Sequence, residues 1–265
     1  MNYCTSYHQY ETYRNKVQEL RFPSNVINSA LNFIQNHQEH RVWLEVKDIN
    51  DCGVPKDKLI QLVKENKQLY LDFYRLNDIQ YVSEEIPGRY MYHYPVNMWE
   101  LVQILINYKV SDILLGAPLT FRMNTVKTYV RDLHNIKIRV CPHLGTFRHL
   151  PLELDGIESF WILPQHMHLY EGYVDVCDIL DPDIVRESTL IDVYLKEEYN
   201  HSLALLIENI KSNIKAAEID ENIAKIRMNC EQKCMIHSSL CHSCDIRIRT
   251  ASKLKEIINK PKEES

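Results

Sequence analysis

The chain has 265 residues, 45% of them hydrophobic and 25% charged, with a formal net charge of −5 at pH 7. That length suits one large core or one domain with an appendage, because a single core stops growing near ~250–300 residues. The negative balance excludes a protein whose whole surface grips nucleic acid, since such binding rests on a basic face that displaces counterions.

No apolar run approaches the ~18–20 residues that a membrane-spanning helix needs, so no membrane partner is expected. The opening residues, MNYCTSYHQYETYRNK, have neither a basic start nor an apolar stretch, which predicts no secretory signal and a reducing, cytoplasmic setting. Eight cysteines in such a setting read as free thiols plus a metal site. The six glycines, at 53, 88, 116, 145, 156 and 172, are dispersed. Loops that cradle phosphate need clustered glycines, so neither a Walker-type loop nor a dinucleotide fingerprint is present.

In chain order, residues 16–22 (KVQELRF) predict a strand, with Ser24 or Asn25 placed to cap a helix over 26–37. Residues 41–47 (RVWLEVK) predict a second strand, and Pro55 opens one long helix, KDKLIQLVKENKQLYLDFY. A third strand is expected at 89–94, a helix at 98–108, a fourth strand at 112–115, a helix at 124–133 and a fifth strand at 137–141. Two more strands, 160–163 and 174–180, are joined by PQHMHLYEGY, and helices follow at 188–199 and 202–219.

Seven strands alternating with helices point to an α/β fold with parallel pairing through right-handed crossovers. Such units close most economically into a barrel, with an open doubly wound sheet as the rival. No eighth strand is legible, so the expectation is an incomplete or distorted (β/α) TIM-like barrel over residues 1–200. A helical, Cys-rich metal-binding segment is expected over 201–265.

That segment carries Cys230-x3-Cys234-x6-Cys241-x2-Cys244. Thiolates at two- and three-residue separations can close on one ion from both ends of a loop, as in four-cysteine zinc sites and in some iron–sulfur clusters. Zinc is favoured, and the iron–sulfur cluster stays open as the alternative. His237 and His242 lie in the same loop as substitute ligands or plain polar residues. Lys225, Arg227, Lys233, Arg247, Arg249, Lys253 and Lys255 flank it and read either as a solvated helix face or as a nucleic-acid contact.

In parallel α/β folds, sites form where loops converge at the carboxyl ends of the strands. The polar residues at those ends are Arg21, Glu45, Lys47, His93, Arg122, His143 and His166. Charged groups at the ends of buried strands are costly to desolvate unless they pair or serve a ligand. Glu45, His93, Arg122 and His143 form the expected catalytic set, with Glu45 or a histidine as general base. Arg21, Lys47 and His166 form the expected substrate-binding set, Arg21 or Arg122 holding an anionic group through a forked pair of hydrogen bonds. Cys141 beside His143 admits a thiolate nucleophile or an inert buried thiol, and His166, His168 and Glu171 admit a mononuclear metal site or an ordinary loop.

The segment NMWELVQILINYKVSDILLGAPLTFRMNTVKTYV resembles the opening of the collagenase-like peptidase family, where a helix precedes a strand ending in Leu-Gly, followed by Phe and Arg. Asp112, Leu115, Gly116, Phe121 and Arg122 occupy those places. The resemblance implies a barrel, peptidase chemistry or, as in the family's anaerobic hydroxylases of ubiquinone or tRNA, a four-cysteine iron–sulfur cluster. The cysteines here are gathered in one C-terminal knuckle, without that family's glycine-bracketed pair, so what the resemblance implies most directly is the fold. The resulting expectation is a barrel enzyme acting on a small-molecule, peptide or RNA substrate, with a nucleic-acid-binding or scaffold protein as the alternative.

Overall fold

Along the strands, aliphatic residues alternate with polar and aromatic ones, and this period-two pattern decides which side of the sheet meets the helices. A computed structural model describes residues 1–93, 103–104, 107–114, 135–142, 162, 164–180 and 184–197. The strands are β1 (Asn2–Ser6), β2 (Glu19–Pro23), β3 (Arg41–Val46), β4 (Leu69–Phe73), β5 (Tyr90–Tyr92), β6 (Asp112–Leu114), β7 (Lys137–Val140) and β8 (Val176–Asp178). Every ladder among them is parallel, in the order β5-β4-β3-β2-β1-β8-β7-β6.

The two ends of that sheet meet. Ser111 N–H donates to Tyr90 O at 3.1 Å and Gly88 N–H to Lys109 O at 2.5 Å, joining the start of β5 to the approach of β6. Gly88 stands there at φ +75°, a backbone conformation that side chains disfavour. The result is a nearly closed eight-stranded α/β barrel.

Helices α1 (Tyr10–Tyr13), α2 (Ile27–Asn36), α3 (Lys56–Glu65), α4 (Leu76–Gln80) and α5 (Ile184–Lys196) accompany the strands. Helix α2 buries Ile27, Ala30 and Ile34, and α3 buries Leu59, Ile60 and Val63, each a stripe at helical spacing. These stripes share one core with the outward residues of the neighbouring strands, including Leu20, Val42, Leu44, Leu69, Leu71 and Phe73. Helix α5 is tied to the end of β1 by Glu187. Its carboxylate accepts from Thr5 Oγ1 at 2.8 Å, Ser6 N at 2.9 Å and Ser6 Oγ at 2.5 Å.

Several expectations are corrected. The barrel is not short of a strand: β1 and β4 were both hidden. The stretch expected as one helix after Pro55 ends at Glu65, where Asn66 N–H and its side-chain amide both donate to Leu62 O, at 3.0 and 2.8 Å. The chain then turns and Leu69–Phe73 pairs with both β3 and β5. The first expected strand begins at Glu19 rather than at 16, because Lys16 and Val17 N–H groups both return to Tyr13 O. Helix α2 is entered through a 3-10 turn, Ser24–Val26, with no side-chain cap from either expected residue. Of the expected strand at 160–163 only Ile162 is described; it is buried outside any strand, and its N–H donates to Pro142 O at 2.9 Å. The last described helix begins at Ile184, four residues before its expected start. Residues 103, 104 and 107 are helical, as expected. The expected helices at 124–133 and 202–219, and the segment 201–265, lie outside the described residues. Among the described residues no helix is long and apolar enough to cross a membrane.

Candidate functional site

The inward side of the barrel is charged. Parallel strands covered by helices are usually apolar on both faces, yet here Glu19, Arg21, Asp72, Asp112, Arg139 and Asp178 are all buried. Alone, any of these groups would cost several kcal/mol to desolvate, so each must be matched.

Arg139 lies at the centre. Its Nε and Nη2 fork onto Asp178 at 2.8 and 2.6 Å, and its Nη1 donates to Glu19 at 2.6 Å and Asp112 at 2.9 Å. Arg41 reaches both oxygens of Asp112 at 2.8 Å, and the Trp43 indole N–H donates to Glu19 at 2.7 Å. The half-exposed Lys137 ammonium stands 3.3 Å from Glu19. Three carboxylates therefore face two guanidiniums and the Lys137 ammonium, and the Arg21–Asp72 pair, 3.0 Å apart, adds one of each. Trp43 also carries the Arg41 and Arg139 guanidiniums against its ring, at 4.7 and 4.9 Å.

This pairing overrides burial. Desolvation pushes the Glu19 carboxyl up, but Arg139 and Arg41 outweigh it and hold the group at about 2. Burial likewise works against the charge on Arg21 and Arg139, and the facing carboxylates raise both above the usual arginine range.

At the carboxyl ends of the strands the network surfaces at His93, which follows β5. Its Nδ1 lies 2.6 Å from Arg21 Nη1 and 2.9 Å from Asp72 Oδ2, while Arg21 Nη1 is itself 3.0 Å from Asp72 Oδ2. One ring nitrogen cannot serve both neighbours at once. A bare Nδ1 accepts from Arg21, and a protonated Nδ1 donates to Asp72. Either state of the imidazole finds a partner without moving.

The ring is fixed further by stacking on Tyr74, centroids 4.0 Å apart and planes 12° from parallel. Tyr74 OH donates to Glu45 Oε1 at 3.2 Å, and the exposed Lys47 ammonium lies 5.9 Å from the Tyr74 ring. Burial, with Asp72 and Glu45 nearby, raises the Tyr74 phenol and keeps it a neutral donor. Asp72 is fully buried. Desolvation raises its carboxyl, but Arg21 and His93 outweigh that and hold it low. Its second oxygen, Oδ1, has no hydrogen-bond partner among the described residues.

Four of the seven residues singled out from the sequence thus meet at one mouth: Arg21, Glu45, Lys47 and His93. Arg21 is 1% exposed and paired with Asp72 and Asp178, beneath the imidazole. Arg122 and His143 lie outside the described residues, as do Cys230, Cys234, Cys241 and Cys244. Nothing is described of the His166 side chain beyond its place in the 3-10 segment Pro164–Tyr170. Cys141 is half-buried. Among the described residues no three His, Cys, Asp or Glu side chains gather as a metal ion would require.

Sequence reasoning missed Asp72 and Tyr74, since both fell in a stretch read as helix. A period-two reading of LYLDFY would have placed Tyr70, Asp72 and Tyr74 on one side and Leu69, Leu71 and Phe73 on the other. Of the five residues that carry the resemblance to collagenase-like peptidases, only Asp112 is described, and it is consumed by Arg41 and Arg139. Comparison of the chain with family models, curated proteins and solved structures returns no significant match.

Proposed function

We propose that this protein is a metal-binding α/β-barrel enzyme that moves a proton through His93 at the carboxyl-end mouth of its barrel. The observation that carries the proposal is the paired surroundings of His93 Nδ1, with Arg21 on one side and Asp72 on the other. A general acid–base group must change protonation without losing its place, and this nitrogen has a partner in each state. Asp72 and Arg21 are positioning residues, Tyr74 limits ring rotation, and Glu45 and Lys47 supply charge at the rim for a small-molecule, peptide or RNA substrate.

Kinship with collagenase-like peptidases belongs to the same proposal and rests on Asp112, Leu115, Gly116, Phe121 and Arg122. The C-terminal cysteines complete it as a zinc site that fixes the end of the chain, with an iron–sulfur cluster as the alternative.

Turnover of a panel of peptides, esters and short RNAs tests the reading. His93→Gln should lower turnover by roughly 10²–10⁴-fold with the fold intact. Equal turnover by His93→Gln and the parent protein would sink it. Metal analysis of protein purified without oxygen separates one colourless zinc from a brown iron–sulfur centre, and Cys241→Ser should lose the metal. Unchanged metal content in that variant defeats the cysteine assignment.

A second reading, a nucleic-acid-binding protein, is favoured by the basic residues Arg247, Arg249, Lys253 and Lys255 beside the knuckle. It expects a gel shift with tRNA or DNA that weakens steeply as salt rises, and a shift insensitive to salt discards it.

A further inference from the structure

Helix α1 spans only four residues, Tyr10–Tyr13, whereas its neighbour α2 spans ten. The short helix leaves one flank of α2 uncovered on the outside of the barrel. A cavity of about 440 Å³ opens there, bounded by Tyr7, Tyr10 and Glu11 on one side and the α2 flank on the other, with Phe22 beneath. That volume falls within the ~300–1,000 Å³ usual for ligand sites.

The α2 flank is built by helical spacing. Ser29, Phe33 and His37 recur every four residues, as do Asn32 and Asn36, while the buried stripe Ile27, Ala30 and Ile34 faces the sheet. The rings are held by one another. Tyr7 stacks on Phe22 at 4.7 Å and 17°, Phe33 stacks on His37 at 4.4 Å, and Tyr10 meets Phe33 edge-on at 4.8 Å and 87°. Tyr10 OH and His37 Nδ1 lie 3.0 Å apart and satisfy each other, so neither needs a ligand to be paired.

An occupant meets aromatic rings and one negative charge, with the Ser29 hydroxyl and the Asn32 and Asn36 amides along the α2 flank. Glu11 is the one charged residue in the lining, and no lysine or arginine contributes to it. Ring faces carry negative electrostatic potential and attract cations. Burial first, then the nearby Glu39 and Glu11 carboxylates, raise the Tyr10 phenol, with Arg14 opposing them. A hydrated metal ion gains little from rings, and an anion would face Glu11. The chemistry that suits both features is a cation wrapped in methyl groups.

We propose that the cleft between α1 and α2 binds an alkylated ammonium group, held by the rings of Tyr7, Tyr10 and Phe33 and by the Glu11 carboxylate. Free choline, a methylated lysine in a peptide and a phosphocholine headgroup all present this chemistry.

Titration of the full chain with choline, followed by upfield shifts of its methyl protons, tests the proposal. Its neutral isostere 3,3-dimethyl-1-butanol should bind roughly tenfold more weakly, the difference that a cation–π contribution implies. Phe33→Leu and Tyr7→Leu should each weaken choline by a similar factor, and Glu11→Gln by about threefold. Circular dichroism confirms that each variant is folded, and the exposed Glu11→Gln serves where an aromatic variant is not. A trimethyl-lysine peptide and phosphocholine vesicles, run in parallel, identify which source of the cation binds more tightly. Equal binding of the isostere, preference for adenosine over choline, or binding untouched by Glu11→Gln and Phe33→Leu would overturn the proposal.

Discussion

The two sides of this sheet are built from the same strands and obey opposite rules. On the outside, Leu20, Val42, Leu44, Leu71 and Phe73 meet the apolar stripes of the helices. On the inside, their immediate neighbours in sequence, among them Glu19, Arg21, Arg41 and Asp72, form an ion network with a small apolar plug of Cys4, Trp43, Met91 and Val176. The outer core is held by area removed from water, which tolerates rearrangement. The inner one is held by geometry, because each charge is affordable only while its partners stay within hydrogen-bond reach.

The largest effect should come from breaking the inner set. Arg139→Ala takes the shared partner from Asp178, Glu19 and Asp112, leaving Asp178 with Arg21 at 3.3 Å and Asp112 with Arg41, and should cost about 3–5 kcal/mol, read by chemical denaturation. A loss below about 1 kcal/mol would mean that the interior relaxes or admits water. Leu44→Ala, on the outer side between Trp43 and Glu45, should cost roughly 2–5 kcal/mol through lost burial and a cavity. The two variants should differ in kind: Arg139→Ala alters how stability depends on pH, and Leu44→Ala leaves that dependence unchanged.

Acid sharpens the contrast. Glu19 has a folded value of about 2, below its ordinary 4.5, so its ionised form is favoured by folding. Its stabilisation is present above pH ~4.5 and is lost as pH falls toward ~2, an effect on the order of 3 kcal/mol. Glu19→Gln should flatten the acid limb of a stability–pH curve over that window; an unchanged slope would assign the limb to Asp72, which is also held low. The smallest effect belongs to a pair in neither region. Lys64 and Glu85 are 2.7 Å apart and each about half exposed, so Lys64→Ala should move the denaturation midpoint least of these variants.

Much of the fold was legible because strand and helix differ in period. RVWLEVK alternates cleanly, and α2 shows its apolar stripe, so both were placed closely. Strand β4 was lost because an amphipathic helix runs almost directly into it, broken only at Asn66, Lys67 and Gln68. Strand β1 was lost among polar residues at the start of the chain. The mouth was partly legible, since His93, Glu45 and Lys47 stand at strand ends. Its second half, Asp72 and Tyr74, depended on β4. That the polar face points inward is not written in any single strand: alternation alone fits a face turned to solvent equally well, and only barrel closure decides it. The metal site proposed for Cys230, Cys234, Cys241 and Cys244 rests on their spacing alone.

The place of β1 has a bearing on synthesis. It precedes the other described strands in the chain, and it pairs with β2 on one side and with β8 on the other, Asn2 beside Val176. Glu187 then pins Thr5 and Ser6 from still further along. During synthesis β1 therefore stays half-bonded until the segments around Val176 and Glu187 have been made, so its pairing is completed by partners separated from it in time.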